Sequence, residues 1–485
     1  MRNRYYALLL IGLFFLGTLT SCGKPSLLPK WLGKERTVAY RTLPPFPPAS
    51  RPASISVFQA LEDLEHFKYL IETAYAGYEY QLKFNHVNFN RNFRRAKRAI
   101  RTIGKEQLTP ADLPDIARIC LAGVQDGHIN IENAFSPLAH ENWFYAEITL
   151  TKKEGKFLVE SSAVSGVAPG DVYRGSKKQL FKIYSDTGER YRIGTLSRQL
   201  ETKLRLKFGS KKIDVPLVQE ERTPEMISKT VDRVTEGVIT YLRIPSFLAD
   251  TEQGVVTEEG KARLEAVWRN IHTLGNYSFV IIDLRNNGGG YLDTAAMIPA
   301  AVFHRIPANF MYPTAMLISP ATTQASCIGL LDIGDGASNH SDWRKGLAIA
   351  AEGQRKRPRR FFNWEWMGKK AVKPIEEGPK LVFIINEHSA SASELVCLTK
   401  SLPGVTVIGT NSAGILSFVN ILPYALPHSG IKMILPATVT LDLEGFAGEG
   451  IGVLPDYWVL DEELADVLRQ MAGSDTIRFP WEGVR

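Results

Sequence analysis

Two strand–loop–helix units, spaced about a hundred residues apart, constrain this chain more than anything else in it. The apolar run SFVIIDL (278–284) leads through RNNGGG (285–290) into LDTAAMIPAAVF (292–303). The run KLVFII (380–385) leads through NEHSASAS (386–393) into ELVCLTKSL (394–402) and then GVTVIG (404–409). A continuous apolar strand followed by a helical stretch and another such strand is the pattern of a parallel sheet with crossover helices, an α/β fold. Loops at the carboxyl ends of such strands are where sites form, so these two loops are the first place to look for chemistry.

The rest of the chain divides by pattern. VFQALEDLEHFKYLIETAYAGY (57–78) has apolar residues at helical spacing, and TPADLPDIARICLAGV (109–124) opens with a threonine cap and Pro110 in the first turn. Together they predict an N-terminal helical domain over 56–135. Between 136 and 235 short alternating runs such as YAEITLTKK and YRIGTL, separated by glycine and charged turns, predict a small β-rich domain. Its GVAPGDVYRG segment is faintly like a PDZ module. The α/β core occupies 236–475.

At the start, Arg2 and Arg4 precede the apolar run YYALLLIGLFFLG, and LTSC ends at Cys22. A run this short, ending in small residues, reads as a signal peptide over 1–21 and not as a membrane span. Residues 22–55, with TLPPFPPASRPAS, read as a proline-rich tether. The other cysteines, Cys120, Cys327 and Cys397, are widely spaced and show no disulfide framework or metal pairing. The net charge of +7 is a modest excess without a dominant basic face, so nucleic acid is not an expected partner. Two basic clusters, RNFRRAKRAIR (91–101) and QRKRPRR (354–360), read as solvated surface.

The two loops carry unusual residues. Three glycines, Gly288 to Gly290, leave backbone N–H groups free to turn inward, although the same run serves equally as a flexible turn. Ser389, Ser391 and Ser393 alternate just before a helix, where a serine can be a nucleophile or simply an N-cap.

IIDLRNNGGG followed by N-x-x-SASASE resembles the tail-specific protease family of serine peptidases, which includes the C-terminal processing peptidases and the tricorn core protease. The resemblance runs from about residue 56 to 458 and aligns poorly over the β-rich domain and 320–375. It implies a crotonase-like core, with Ser391 as nucleophile and an oxyanion hole from Gly288 or Gly289 with Ala392. The chain departs from the lysine-dependent branch, because GTNSAGIL places Ile415 where the lysine stands. Lys400 lies nine residues along the helix from Ser391, on the opposite face and roughly 13 Å up its axis. The histidine-dependent tricorn branch fits better: VQDGHINIEN offers His128 as base, and EGIGVLPD offers Glu449 as its partner. A serine that precedes the histidine in tricorn is Gly127 here. Taken alone, His128 could be structural and Glu449 a surface carboxylate. LTSC resembles the lipobox of bacterial lipoproteins, which implies that Cys22 carries lipid.

The expected protein is therefore a lipid-anchored serine peptidase of the cell envelope, acting on peptides or proteins with no metal or organic cofactor. The alternative is an inactive relative that keeps the fold and binds a ligand or peptide. A histidine base with an ordinary pKa near 6.5 would make activity rise between pH roughly 6 and 7.5.

Overall fold

The computed structural model describes residues 28–46, 48, 51–109, 112–132, 135–219, 230–249, 251–252, 255–304, 314–332, 359–364, 378–441, 443 and 445–482. The signal segment and Cys22 lie outside them, as does most of the 354–360 basic cluster. Among the described residues no helix is long and apolar enough to cross a membrane.

The N-terminal helices are α1 (Val57–Thr73), α2 (Tyr78–Phe84), α3 (Phe89–Thr102) and α4 (Leu113–Cys120). Ser56 and Gln59 close a reciprocal capping box at the start of α1, which satisfies two N–H groups that would otherwise lack partners. Leu64, Phe67 and Leu70 of α1 pack with Phe93, Ala96 and Ile100 of α3 and with Ile116 and Cys120 of α4. The proline-rich stretch also joins this body. Leu32 is fully buried, and Trp31 packs edge-on against Tyr80 and Phe84 of α2.

The β-rich domain is a seven-stranded antiparallel sheet. Its longest strand, Asn142–Lys153, lies between Lys156–Ser162 and Arg190–Ser197. Phe144, Ala146, Ile148 and Leu150 alternate inward, as the period of two requires. Trp143 and Phe181 seat the domain on Trp458 and Leu460 of the core, and Arg192 pairs with Glu463 at 2.6 Å.

The core sheet has six strands in spatial order identical to chain order: β1 (Arg233–Glu236), β2 (Ile239–Arg243), β3 (Phe279–Asp283), β4 (Lys380–Ile385), β5 (Val405–Gly409) and β6 (Tyr457–Trp458). All neighbours run parallel except β1 and β2. Val280 and Ile282 face α5 (Glu258–Ile271) and α6 (Leu292–Phe303), while Phe279 and Ile281 face α8 (Leu464–Ala472). Both faces are covered, which is why the strands are apolar throughout. The helix α7 (Ala392–Cys397) crosses from β4 to β5.

A second, antiparallel sheet is inserted between core strands. It runs Arg360–Trp364, Thr314–Ile318, Lys432–Thr440, Phe418–Ala425. A two-residue strand from the N-terminal region, Asn130–Ile131, pairs with Met433 and Ile434 of this sheet. That pairing brings the DGH segment to the core.

Candidate active site

The three alternating serines have three different fates. Ser389 is fully buried; its Oγ donates to the Leu284 carbonyl at 2.8 Å and accepts from the Asn386 N–H at 3.0 Å. Ser393 is also fully buried and donates to the Asn287 carbonyl at 3.0 Å. Both hydroxyls are committed to holding the loop. Ser391 is half-buried, and its Oγ donates to no other residue among the described ones. Its backbone sits at φ 54°, ψ −114°, a conformation a non-glycine residue holds only when its surroundings enforce it. A strained turn from strand to helix is the way a nucleophilic serine is lifted out of a loop.

Two neighbouring loops enforce it. The glycine loop and the serine loop are stapled by a reciprocal amide pair: Asn286 N–H donates to Asn386 Oδ1 at 3.0 Å, and Asn386 Nδ2 donates to Asn286 Oδ1 at 2.7 Å. Ala390 N–H donates to the Asn287 carbonyl at 3.0 Å. Below the glycines, Asp283 is fully buried between Arg243 and Arg285, and although burial opposes its ionisation, the two guanidiniums hold its carboxyl down at about 2.

Gly289 lies directly against Ser391. A Cβ there would come within 2.7 Å of Ser391 Cβ and 3.1 Å of Ala392 N, and its φ of +99° also requires glycine. Its own N–H is engaged by Asn287 Oδ1 at 2.9 Å. Gly288 N–H and Ala392 N–H have no hydrogen-bond partner among the described residues. Of the two glycines, Gly288 is thus the one with a donor to spare.

Glu394 ties the serine loop to the next one. Fully buried, it accepts Ser391 N–H (2.9 Å) and Ile415 N–H (2.8 Å) on Oε2, and Gly414 N–H (2.6 Å) and Ser412 Oγ (2.6 Å) on Oε1. Burial pushes its carboxyl up to about 7 against four donors that favour the anion. The Ile415 side chain then packs on Gly127, where a Cβ would meet Ile415 Cγ1 at 2.5 Å. The two departures from the family pattern are complementary, because the isoleucine fills the space that a side chain at 127 would need.

His128 follows immediately. Burial lowers its imidazole to about 4, with a hydrogen bond to the Phe418 backbone acting the other way. Its Nδ1 is buried without a partner, and neither Ser391 nor Glu449 is hydrogen-bonded to the ring among the described residues. Glu449 accepts Ser417 N–H (2.6 Å), Leu416 N–H (3.0 Å) and Gly127 N–H (3.5 Å). Its carboxyl is raised by burial and by Asp126, which is itself fully buried and raised to about 7 by desolvation. Asp126 Oδ1 accepts the His128 N–H at 2.8 Å. Two carboxyls thus flank the backbone of the histidine loop. Lys400 is spent elsewhere, donating to the Leu454 carbonyl at 2.6 Å.

Residues 238–459 match the model described as Peptidase family S41. This core is similar to peptidase family S41. Among solved structures the chain is similar to mature CPAF, with 16% identity, a TM-score of 0.43, and coverage of 86% of this chain and 95% of that one. It is also similar to the photosystem II D1 C-terminal processing protease, at 13% identity, TM-score 0.34, and coverage of 86% and 98%. A third is the tricorn protease, at 14% identity, TM-score 0.35, and coverage of 86% of this chain and 36% of that one.

Sequence reasoning passed over Asn286, Asn287, Asn386, Glu394 and Asp126. The first four stand inside the two loop motifs, and polar residues that punctuate a glycine-serine loop are the signal that could have found them. Asp126 is adjacent to Gly127 in DGH, but nothing in its local sequence shows that it becomes fully buried.

Proposed function

We propose that this chain is a peptidase of the serine type, with Ser391 as nucleophile, His128 as general base and Glu449 as the carboxylate that holds the histidine loop. The observation that carries the reading is the contrast among the three serines: only Ser391 is accessible, strained and without a described acceptor for its hydroxyl proton, and Gly289 lies against it.

In the reaction, Ser391 Oγ attacks the scissile carbonyl and its proton passes to His128. The imidazole is neutral above pH about 4, so it can accept. The tetrahedral oxyanion is met by Gly288 N–H and Ala392 N–H, fixed donors that need no reorganisation as charge develops. His128 returns the proton to the leaving amine as the C–N bond breaks, and water hydrolyses the acyl-enzyme by the same steps in reverse. Because Gly127 offers no hydroxyl, no side chain at that position relays the proton.

The substrates are peptides or proteins outside the cytoplasm, and the chain is held at a membrane by lipid on Cys22. LTSC and the preceding apolar run support the anchor. Cys22→Ala should abolish incorporation of labelled palmitate, and unchanged incorporation would rule the anchor out.

The test of the nucleophile is labelling of the purified protein with a fluorophosphonate. Ser391→Ala should abolish labelling, whereas Ser389→Ala should retain it at a lowered Tm, since Ser389 holds the loop. Labelling that survives Ser391→Ala would end the assignment. The ligand-binding alternative has one observation in its favour, the absence of a hydrogen bond between His128 and Ser391. It requires that the wild-type protein not label at all.

A further inference from the structure

The N-terminal domain carries a feature that peptide hydrolysis does not use. On α3, Arg91, Arg94, Arg95, Arg98 and Arg101 follow the spacing i, i+3, i+4, i+7, i+10, which gathers them into one stripe of roughly 120°. The opposite face holds Phe89, Phe93, Ala96 and Ile100, all buried. The stripe therefore points away from the body, and all five arginines are exposed.

None of the five forms an ion pair among the described residues, and α3 has no acidic residue. The acids of the helices packed against it are occupied: Glu65 by Lys97 (3.1 Å), Glu62 by His428 (2.9 Å), Glu72 by Lys68 (3.4 Å) and Asp115 by Arg118 (2.5 Å). Asp63 accepts the backbone N–H groups of His428 and Ser429. The stripe is thus an uncompensated field of guanidiniums, the side chain best shaped to grip phosphate oxygens two at a time.

Its position says what it faces. Only five residues separate Cys22 from Leu28, a reach of about 20 Å at full extension. Leu28 and Trp31 pack on the body beside α2, with Trp31 against Phe84, the last residue of α2. Five residues on from Phe84, α3 begins. Leu82 and Phe84 of α2 expose 37% and 45% of their surface, an apolar fringe at the end of α2 that leads into α3.

We propose that the arginine stripe of α3 docks on the anionic phospholipid headgroups of the membrane that holds the Cys22 lipid, so that anchor and stripe together set the orientation of the body on that surface. The proposal rests on the reading of Cys22 as lipidated. Each arginine near a negatively charged bilayer contributes on the order of fivefold in binding, and the effect is screened by salt.

The test uses the full lipidated protein on vesicles of phosphatidylcholine alone or mixed with phosphatidylglycerol. Modification by phenylglyoxal, read peptide by peptide, should slow about tenfold or more at the five positions on the mixed vesicles only, and should recover in high salt. Arg94→Glu with Arg98→Glu, both exposed and so compatible with folding, should abolish the protection of the remaining three. Equal rates on the two vesicle types would overturn the proposal, as would protection by duplex DNA but not by the mixed vesicles. Flotation with pure phosphatidylcholine vesicles reads the lipid separately. If it fails, the anchor is absent; the stripe then stands only if the chain floats with mixed vesicles, and falls if it does not.

Discussion

The loop that carries Ser391 and the loop that carries His128 are built in opposite ways. The serine loop belongs to one strand–helix unit of the core sheet and is fastened to the parallel glycine loop by short bonds between groups written into both motifs, Asn286 with Asn386 and Asn287 with Ala390 and Ser393. The histidine loop is borrowed from another domain. It is held by a two-residue strand, by the contact of Ile415 with Gly127, and by two buried carboxyls that grip its backbone N–H groups. A site assembled this way keeps Ser391 rigid through local bonds and His128 in place through tertiary packing. Damage to the first should therefore be chemical, and damage to the second should be geometric or electrostatic.

The largest effect that would test this comparison is His128→Ala, which should cost on the order of a thousandfold or more in turnover on any substrate that depends on Ser391, with Tm little changed. Glu449→Gln should cost less, because it weakens the grip on the loop and leaves the proton acceptor. Since burial holds His128 at about 4, the acid limb of kcat/KM should fall near pH 4 to 5, well below the 6 to 7.5 expected of an ordinary imidazole. A limb centred near 6.5 would show that the base is solvated in the working enzyme.

A smaller, geometric effect comes from Gly127→Ser. The added side chain strikes Ile415, so activity should fall by roughly tenfold to a hundredfold with a loss of about 1 to 3 kcal/mol of stability, the usual range for overpacking. Gly127→Ser combined with Ile415→Ala should recover much of both. Additive losses in the double variant, measured by Tm and turnover together, would mean that the two positions are not coupled.

The smallest effect is electrostatic. Asp126 is raised to about 7 in the folded protein, so between its ordinary value near 4 and pH 7 the folded state holds a proton that the unfolded chain has lost. Its contribution to stability is present at low pH and lost as pH rises through about 7. His128, lowered to about 4, acts in the opposite sense across much of the same window, because there the unfolded chain binds the extra proton. Asp126→Asn keeps an acceptor for the His128 N–H and removes the first slope. The Tm of the variant relative to wild type should rise by a few degrees from pH 4 to pH 7. A constant difference across that range would show that Asp126 does not titrate there.

What could be read in advance follows the same division. The parallel core and the two loops were legible because they are set by apolar runs of strand length and by glycine, serine and asparagine at turns, all local properties. That one of three serines is special could not be read from composition or spacing, since Ser389, Ser391 and Ser393 look alike until two of them are buried with their hydroxyls bonded. The stretch expected to be a tether behaves differently over 28–46, where Trp31 and Leu32 find apolar partners on α2 and on the second sheet. A proline-rich sequence reports the extended backbone and says nothing about what it lies against.

By itself the sequence determined the secondary-structure pattern, the chemical inventory of the site and the arginine stripe of α3, because helical and strand periodicities are consequences of covalent geometry. Only the tertiary structure decided which serine is free, that Gly288 and not Gly289 has a donor to spare, that Ile415 and Gly127 are halves of one contact, and that the imidazole is pushed down to about 4. Apart from the Gly289 N–H, which its near neighbour Asn287 holds, each of these depends on burial or steric contact with residues distant in the chain, as between Ile415 and Gly127, and such distances have no expression in local sequence.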